Sequence, residues 1–227
     1  MLTTNYSNIN IYKQWRSDLI DLIRPINTYF DWNSQSMSEK WIDTVYRNVI
    51  LSTAYQYSSK SCTDYAQQLF QECFNHPSNN TIEINYREIV YCTNMRLGSR
   101  TLFQCLFHQY QITNDTEEIS RLQSALTCTH DIQLIRYLLE IHFNSNLNII
   151  QQNDILSGIR LICRNLIGIN DCWSYVHSKW KYLLKNFGHY NFTSFIQELT
   201  EKFNTKQQLN EFELFIEQTR NQVRLTR

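Results

Sequence analysis

From Ile9 onward, apolar residues return every three or four positions, the spacing of helices that each bury one face. Asp131–Phe143 shows this most cleanly, with Ile132, Ile135, Leu138 and Leu139 on one side. The same period predicts a helix over Ile9–Phe30, bent where Pro25 removes an intrahelical bond. A second starts at Ser36 or Ser38, in a capping-box pattern with Glu39, and runs to Tyr57. Asp64–Phe74, Asn85–Leu97, Arg100–Gln111 and Thr116–Thr127 precede the helix at Asp131. Gln152–Ile167, Asp171–Phe187, Phe192–Phe203 and Lys206–Val223 follow it. Gly98 stands where a helix-terminating glycine belongs. The sum is about eleven helices joined by short polar loops, with no segment of strand period.

Antiparallel helices with one apolar face each must stack on neighbours to bury it. An α-solenoid and a compact bundle both do so. No exact internal repeat emerges, which points to irregular helix pairs of the HEAT or armadillo kind. The expected fold is therefore all-α, a solenoid of antiparallel helix pairs. It forms one domain over residues 1–227, with frayed ends at 1–11 and 222–227. Composition sharpens this picture. Two prolines and four glycines in 227 residues are too few for the turns of a β-sandwich or the loops of a dinucleotide fold. A 42% apolar and 19% charged chain carries a real core. Zero formal charge leaves no electrostatic footprint for nucleic acid, and no apolar run reaches membrane-spanning length.

One stretch stands out: "NDILSGIRLICRNLIGINDCWSYVHSKW", Asn153–Trp180. Two of the four glycines, Gly158 and Gly168, lie in it. Gly168 is expected to turn the chain in the left-handed conformation, with Asp171 capping the next helix and Asn165 bonding loop carbonyls. Gly158 is expected to permit close helix approach. Asp154, Gly168, Trp173 and Trp180 thus read as parts of a structural joint. Trp173, Val176, Trp180, Leu183, Leu184 and Phe187 share one face, which favours core over an aromatic ligand box.

Catalytic signatures are missing. There is no His-Glu-x-x-His, P-loop, Gly-x-Gly-x-x-Gly or Gly-x-Ser-x-Gly. Cys105 and His108 share a helix face but read as a half-buried thiol beside an amphipathic histidine. Glu117–Glu118 reads as a helix-dipole feature, and His177 as a groove residue. Seven cysteines match no zinc template.

The ordered segments "IVYCTNMRLGSRTLF", "RLQSALTCTHDIQLIRYLLE", the joint extended to Gly188, and "FIQELTEKFNTKQQLNEFELF" carry a resemblance. Together they resemble the C-terminal domain of zinc aminopeptidases of the aminopeptidase N and endoplasmic-reticulum aminopeptidase type, over roughly Tyr12–Asn221. That resemblance implies a HEAT-like lid that closes over a zinc site lying in a separate, preceding domain. It implies no cofactor in this chain, zinc in the catalytic domain, and contacts with peptide substrates and that domain. Homodimer contacts and a place on the extracellular face of the plasma membrane or in the secretory pathway are implied as well. Cys92 and Cys128 match a long-range disulfide pair of the family; the alternative is seven reduced thiols. Cys62 matches one half of a short-range pair, but the partner position holds Tyr55, so that bridge is not expected. Cys73, Cys105, Cys163 and Cys172 read as small core residues. Arg160 and Arg164 are candidates to meet a peptide carboxylate by charge-assisted bonds, with Asn165 beside them, against a solvated-face alternative. The family domain extends past both ends of the sequence, so a fragment and a free-standing peptide- or protein-interaction solenoid both stay open.

Overall fold

The computed structural model describes residues 6–29, 41–56, 60–75, 80–98, 100–144, 149–150 and 154–224. Among them every regular element is a helix. The chain forms two compact units, one ending at His130 and the other running from Asp131.

The first unit holds α1 (Tyr6–Tyr29), α2 (Trp41–Gln56), α3 (Lys60–Asn75), α4 (Arg87–Leu97), α5 (Arg100–Ile112) and α6 (Thr116–Leu126). α1 runs through Pro25. The capping box proposed at Ser36 or Ser38 lies outside the described residues. α4 is central, packing against α2, α3, α5 and α6. Its Val90, Tyr91 and Met95 are buried, as are Leu51, Ala66, Phe103, Leu106 and Leu122 from the helices around it. Each of the Val, Leu, Met and Phe side chains removed from water contributes on the order of 1.5–3 kcal/mol. α6 starts where Asp115 Oδ1 accepts from the backbone N–H of Glu117 and Glu118 at 2.9 and 3.3 Å. That satisfies donors the first helical turn leaves unpaired. The turn after α4 corrects one expectation. Gly98 has φ −88° and ψ 171°, so α4 ends in extended rather than left-handed backbone.

The second unit holds α7 (Ile132–Phe143), α8 (Ile155–Arg164), a single 3₁₀ turn (Leu166–Gly168), α9 (Ile169–Thr200) and α10 (Lys206–Arg224). Asp131 caps α7 by accepting from the N–H of Gln133 at 2.8 Å. α7, α8 and α9 pack mutually around the 3₁₀ turn. α9 is two helices in sequence, broken at Gly188, where φ is 77° and ψ 166°. Only glycine adopts that backbone readily. The break falls between the two helices expected there, Asp171–Phe187 and Phe192–Phe203. α10 returns along the first part of α9. Trp173 meets Phe203, Phe212 and Phe215 edge-on, with ring centroids 5.3, 5.9 and 5.4 Å away. Trp180 also meets Phe215 edge-on. Edge-to-face geometry sets the positive rim of one ring against the negative face of the next. The tryptophan face of α9 is therefore core.

Residues 6–11 and 222–224 are helical within α1 and α10, whereas 1–5 and 225–227 lie outside the described residues.

Candidate functional site

The joint between α8 and α9 is built from four positions. Asp154 occupies the N-cap position of α8, and its carbonyl accepts from Ser157 Oγ at 2.9 Å. Asn165 ends α8, and its Oδ1 accepts from the backbone N–H of Ile167 at 3.0 Å. The side chain thus mimics a backbone turn and starts the 3₁₀ turn. Gly168 does not play the part expected of it. Its φ of −94° and ψ of 5° are open to any residue. It is buried, and a Cβ placed on it would come within 2.5 Å of Ile135 Cγ2. Glycine is needed here for close packing against α7, not for a left-handed turn. Asp171 is likewise not a cap, since Gly168 holds the N-cap position of α9 with no side-chain cap. Instead Asp171 accepts from Arg136 Nε at 2.7 Å, tying the first turn of α9 to α7. This bond and the carboxylate charge raise the Arg136 pKa. Gly158 is buried in α8.

The turn also brings Cys163 and Cys172 together as a disulfide, with Cα atoms 5.5 Å apart. Both are core residues, as expected, but they are bridged rather than free, because a sharp reversal places two buried faces against each other. Cys92 and Cys128 form a second disulfide, between α4 and the end of α6, with a Cα separation of 5.3 Å. Cys62 and Cys105 are not in either bridge, and Cys62 is buried. The side chain of Cys73 lies outside the described residues.

Arg160 and Arg164 project from α8 towards the second half of α9. Arg160 Nη1 donates to Glu198 Oε1 at 2.5 Å and Nη2 donates to the Asn191 carbonyl at 3.2 Å. Arg164 Nη2 lies 3.8 Å from Glu198 Oε2 and is mostly exposed. One carboxylate thus serves two guanidinium groups. Lys202 lines the same pocket of about 140 Å³, together with Glu201. Burial lowers the Lys202 pKa, the charge of Arg164 lowers it further, and Glu198 partly opposes both. Three cations around two carboxylates leave a positive surplus at the pocket. Such a surplus attracts an anionic group, most strongly where solvent screening is reduced.

Sequence reasoning missed a second polar cluster, in the first unit. Glu118 is 9% exposed. It accepts from Arg87 Nη1 at 3.1 Å, Tyr91 Oη at 2.9 Å and Arg121 Nη1 at 3.4 Å. Arg121 Nη2 donates to Glu117 at 2.8 Å. Burial works against the Arg121 charge, but the hydrogen bond to Glu117 and both carboxylates outweigh it and raise the pKa. A buried carboxylate held by two guanidiniums and a phenol is a strut between α4 and α6. The pair Glu117–Glu118 announced only a helix start, because Arg87 and Tyr91 lie 31 and 27 residues away.

No group of three His, Cys, Asp or Glu among the described residues can hold a metal ion. No helix among them is long and apolar enough to cross a membrane. The described residues therefore do not fit a zinc centre.

Comparison with known proteins places this all-α chain. The family described as "ERAP1-like C-terminal domain" matches residues 2–227. The chain belongs to this family, as a C-terminal domain of the kind found in aminopeptidase N and its relatives. It is 29% identical over 218 residues to aminopeptidase N of Bos taurus, covering 93% of the chain and 22% of that protein. To aminopeptidase N of Canis lupus familiaris it is 28% identical over 220 residues, covering 92% of the chain and 22% of the relative. To the thyrotropin-releasing hormone-degrading ectoenzyme of Homo sapiens it is 28% identical over 216 residues, covering 93% and 20%. The chain spans about a fifth of the length of these curated relatives.

Proposed function

We propose that this chain is the non-catalytic lid of a zinc aminopeptidase, closing over the active-site cavity and accommodating the peptide substrate. One observation carries the reading. The family match spans residues 2–227, and in relatives named as aminopeptidases the matching segment is only about a fifth of the protein. The bond-breaking chemistry, and the zinc that supplies a polarised water for it, then belong to another part of the enzyme. Here the role is enclosure: excluding water and limiting which peptides fit. Arg164 and Lys202 are the groups that would meet an anionic part of the peptide. Arg160, already bonded to Glu198, and Asn165, committed to its turn, hold that pocket in shape. Two disulfides among the described residues suit the secretory pathway or the extracellular face of the plasma membrane.

Sequencing the full-length transcript across the 5′ end of the locus tests the reading. An in-frame upstream segment carrying His-Glu-x-x-His with its downstream glutamate is the expected result. A transcript whose only protein is this chain would overturn it and leave a free-standing interaction module.

A further inference from the structure

Asn-x-Ser/Thr, the pattern that accepts an N-linked sugar, occurs at Asn5, Asn79, Asn114 and Asn191. Asn5 and Asn79 lie outside the described residues. The structure separates the other two.

Asn191 lies inside the second half of α9, and both ends of its pattern are in use. Its Nδ2 donates to the Phe187 carbonyl at 3.0 Å, and its own backbone carbonyl accepts from Arg160. Thr193 Oγ1 donates to the His189 carbonyl, and Phe192 between the two is buried. Residues two apart on a helix stand about 200° apart around its axis, so this amide and hydroxyl point away from each other.

Asn114 lies in the turn between α5 and α6, and it is exposed, as are Asp115 and Thr116. Its neighbours hold the turn. Thr113 Oγ1 accepts from the Asp115 N–H at 3.3 Å, and Asp115 Oδ1 accepts from the first turn of α6. Neither the Asn114 amide nor the Thr116 hydroxyl forms a hydrogen bond with the described residues. Asp115 is extended, with φ −80° and ψ 113°. An extended residue turns its two neighbours to the same side. The amide to be modified and the hydroxyl that a transferase reads with it therefore face one way. Ile112, the last residue of α5 and two before Asn114, is 57% exposed. The first sugar on Asn114 lies within reach of it and carries an apolar C–H face that would shield it from water.

We propose that Asn114 carries an N-linked glycan whose first sugar packs over Ile112. The proposal rests on the secretory-pathway reading above, which supplies the donor, an oligosaccharide on a lipid pyrophosphate. Asn114 Nδ2 bonds to the anomeric carbon of the first sugar. The bond from that carbon to the pyrophosphate oxygen breaks, and the lipid pyrophosphate leaves with its electron pair. One amide proton passes to the transferase.

Mass spectrometry of the full chain, secreted from insect cells behind a cleavable signal, tests this. Most molecules are expected to carry a glycan on Asn114, and Thr116→Ala should remove it. The thermal midpoint of the Thr116→Ala chain should fall by about 2–4 °C, and by much less when Ile112→Ser is also present. Trimming the wild-type glycan to its first sugar should leave the midpoint unchanged. A secreted chain bare at Asn114, or modified at Asn191 and not at Asn114, would overturn the proposal. So would a midpoint that falls on trimming, or one that Thr116→Ala lowers equally with and without Ile112. Because the signal is supplied, a bare Asn114 counts against this site and leaves the lid reading to the transcript.

Discussion

Replacing Gly168 by alanine isolates the packing argument at the joint. The added methyl would lie 2.5 Å from Ile135 Cγ2 and 3.3 Å from Cδ1. Ile135 is 0% exposed, so it has no solvent to move into. Overpacking of this kind costs about 1–3 kcal/mol. The backbone at φ −94° accepts alanine, and loss of glycine's freedom in the unfolded chain returns about 0.4–1 kcal/mol. The net expectation is a destabilisation of about 1–2 kcal/mol, read as a lower urea midpoint. Ile135→Ala removes the atoms the methyl would strike. In that background Gly168→Ala should become neutral or stabilise by a few tenths of a kcal/mol. Gly188→Ala supplies the contrast. Nothing lies within 4 Å of a Cβ there, but φ is 77°. Its cost of about 1–3 kcal/mol is backbone strain and should be the same in either background. If Gly168→Ala stabilised the chain, or cost the same with and without Ile135, the close-packing account of Gly168 would be wrong.

Other outcomes follow from the same structure. His142 is buried, its Nδ1–H donating to the Leu138 carbonyl at 2.7 Å, and burial lowers its pKa to about 4. The unfolded chain then binds the extra proton first, so stability falls as pH drops from about 6.5 towards 4, by up to roughly 3 kcal/mol. His142→Leu should flatten urea midpoints across that window. Glu118→Gln strips the charge from a strut serving Arg87 and Arg121. A loss of about 2–3 kcal/mol is expected in urea denaturation, with little change if Arg87 is also replaced by Met. The Cys92–Cys128 bridge spans 36 positions and Cys163–Cys172 spans 9. In the chain-entropy view these contribute about 4 and 2.6 kcal/mol. Cys92→Ser with Cys128→Ser should therefore lower the thermal midpoint more than the Cys163/Cys172 pair of substitutions.

The helices themselves were legible because a 3.6-residue apolar period is a local signal. Asp131 and the break near Gly188 fall where local chemistry placed a start and a stop. Long-range partners were not legible. Nothing near Glu118 in sequence announces Arg87 or Tyr91, so a buried strut looked like an ordinary helix start. Cys163 and Cys172 read as two core faces until the turn at Asn165–Gly168 folds one onto the other. Their spacing across a foreseen break was the available clue. Gly168 was tied to the right place for the wrong reason, because tight packing and a left-handed turn both call for glycine. Only Ile135, 33 residues upstream, separates the two readings. Arg160 and Arg164 were singled out as cations facing a ligand. Their shared carboxylate, Glu198, lies more than thirty residues on and escaped sequence analysis.

The lid role is tested most directly by a chimera of bovine aminopeptidase N carrying this chain in place of its matching segment. The quantity to measure is kcat/KM on a ten-residue peptide relative to that on a single amino-acyl amide. Enclosure predicts that the chimera cleaves the small amide about as well as its parent, while the peptide-to-amide ratio shifts. Arg164→Met should then shift that ratio again, without altering turnover of the amide. An unchanged ratio in an active chimera, indifferent to Arg164→Met, would contradict the account.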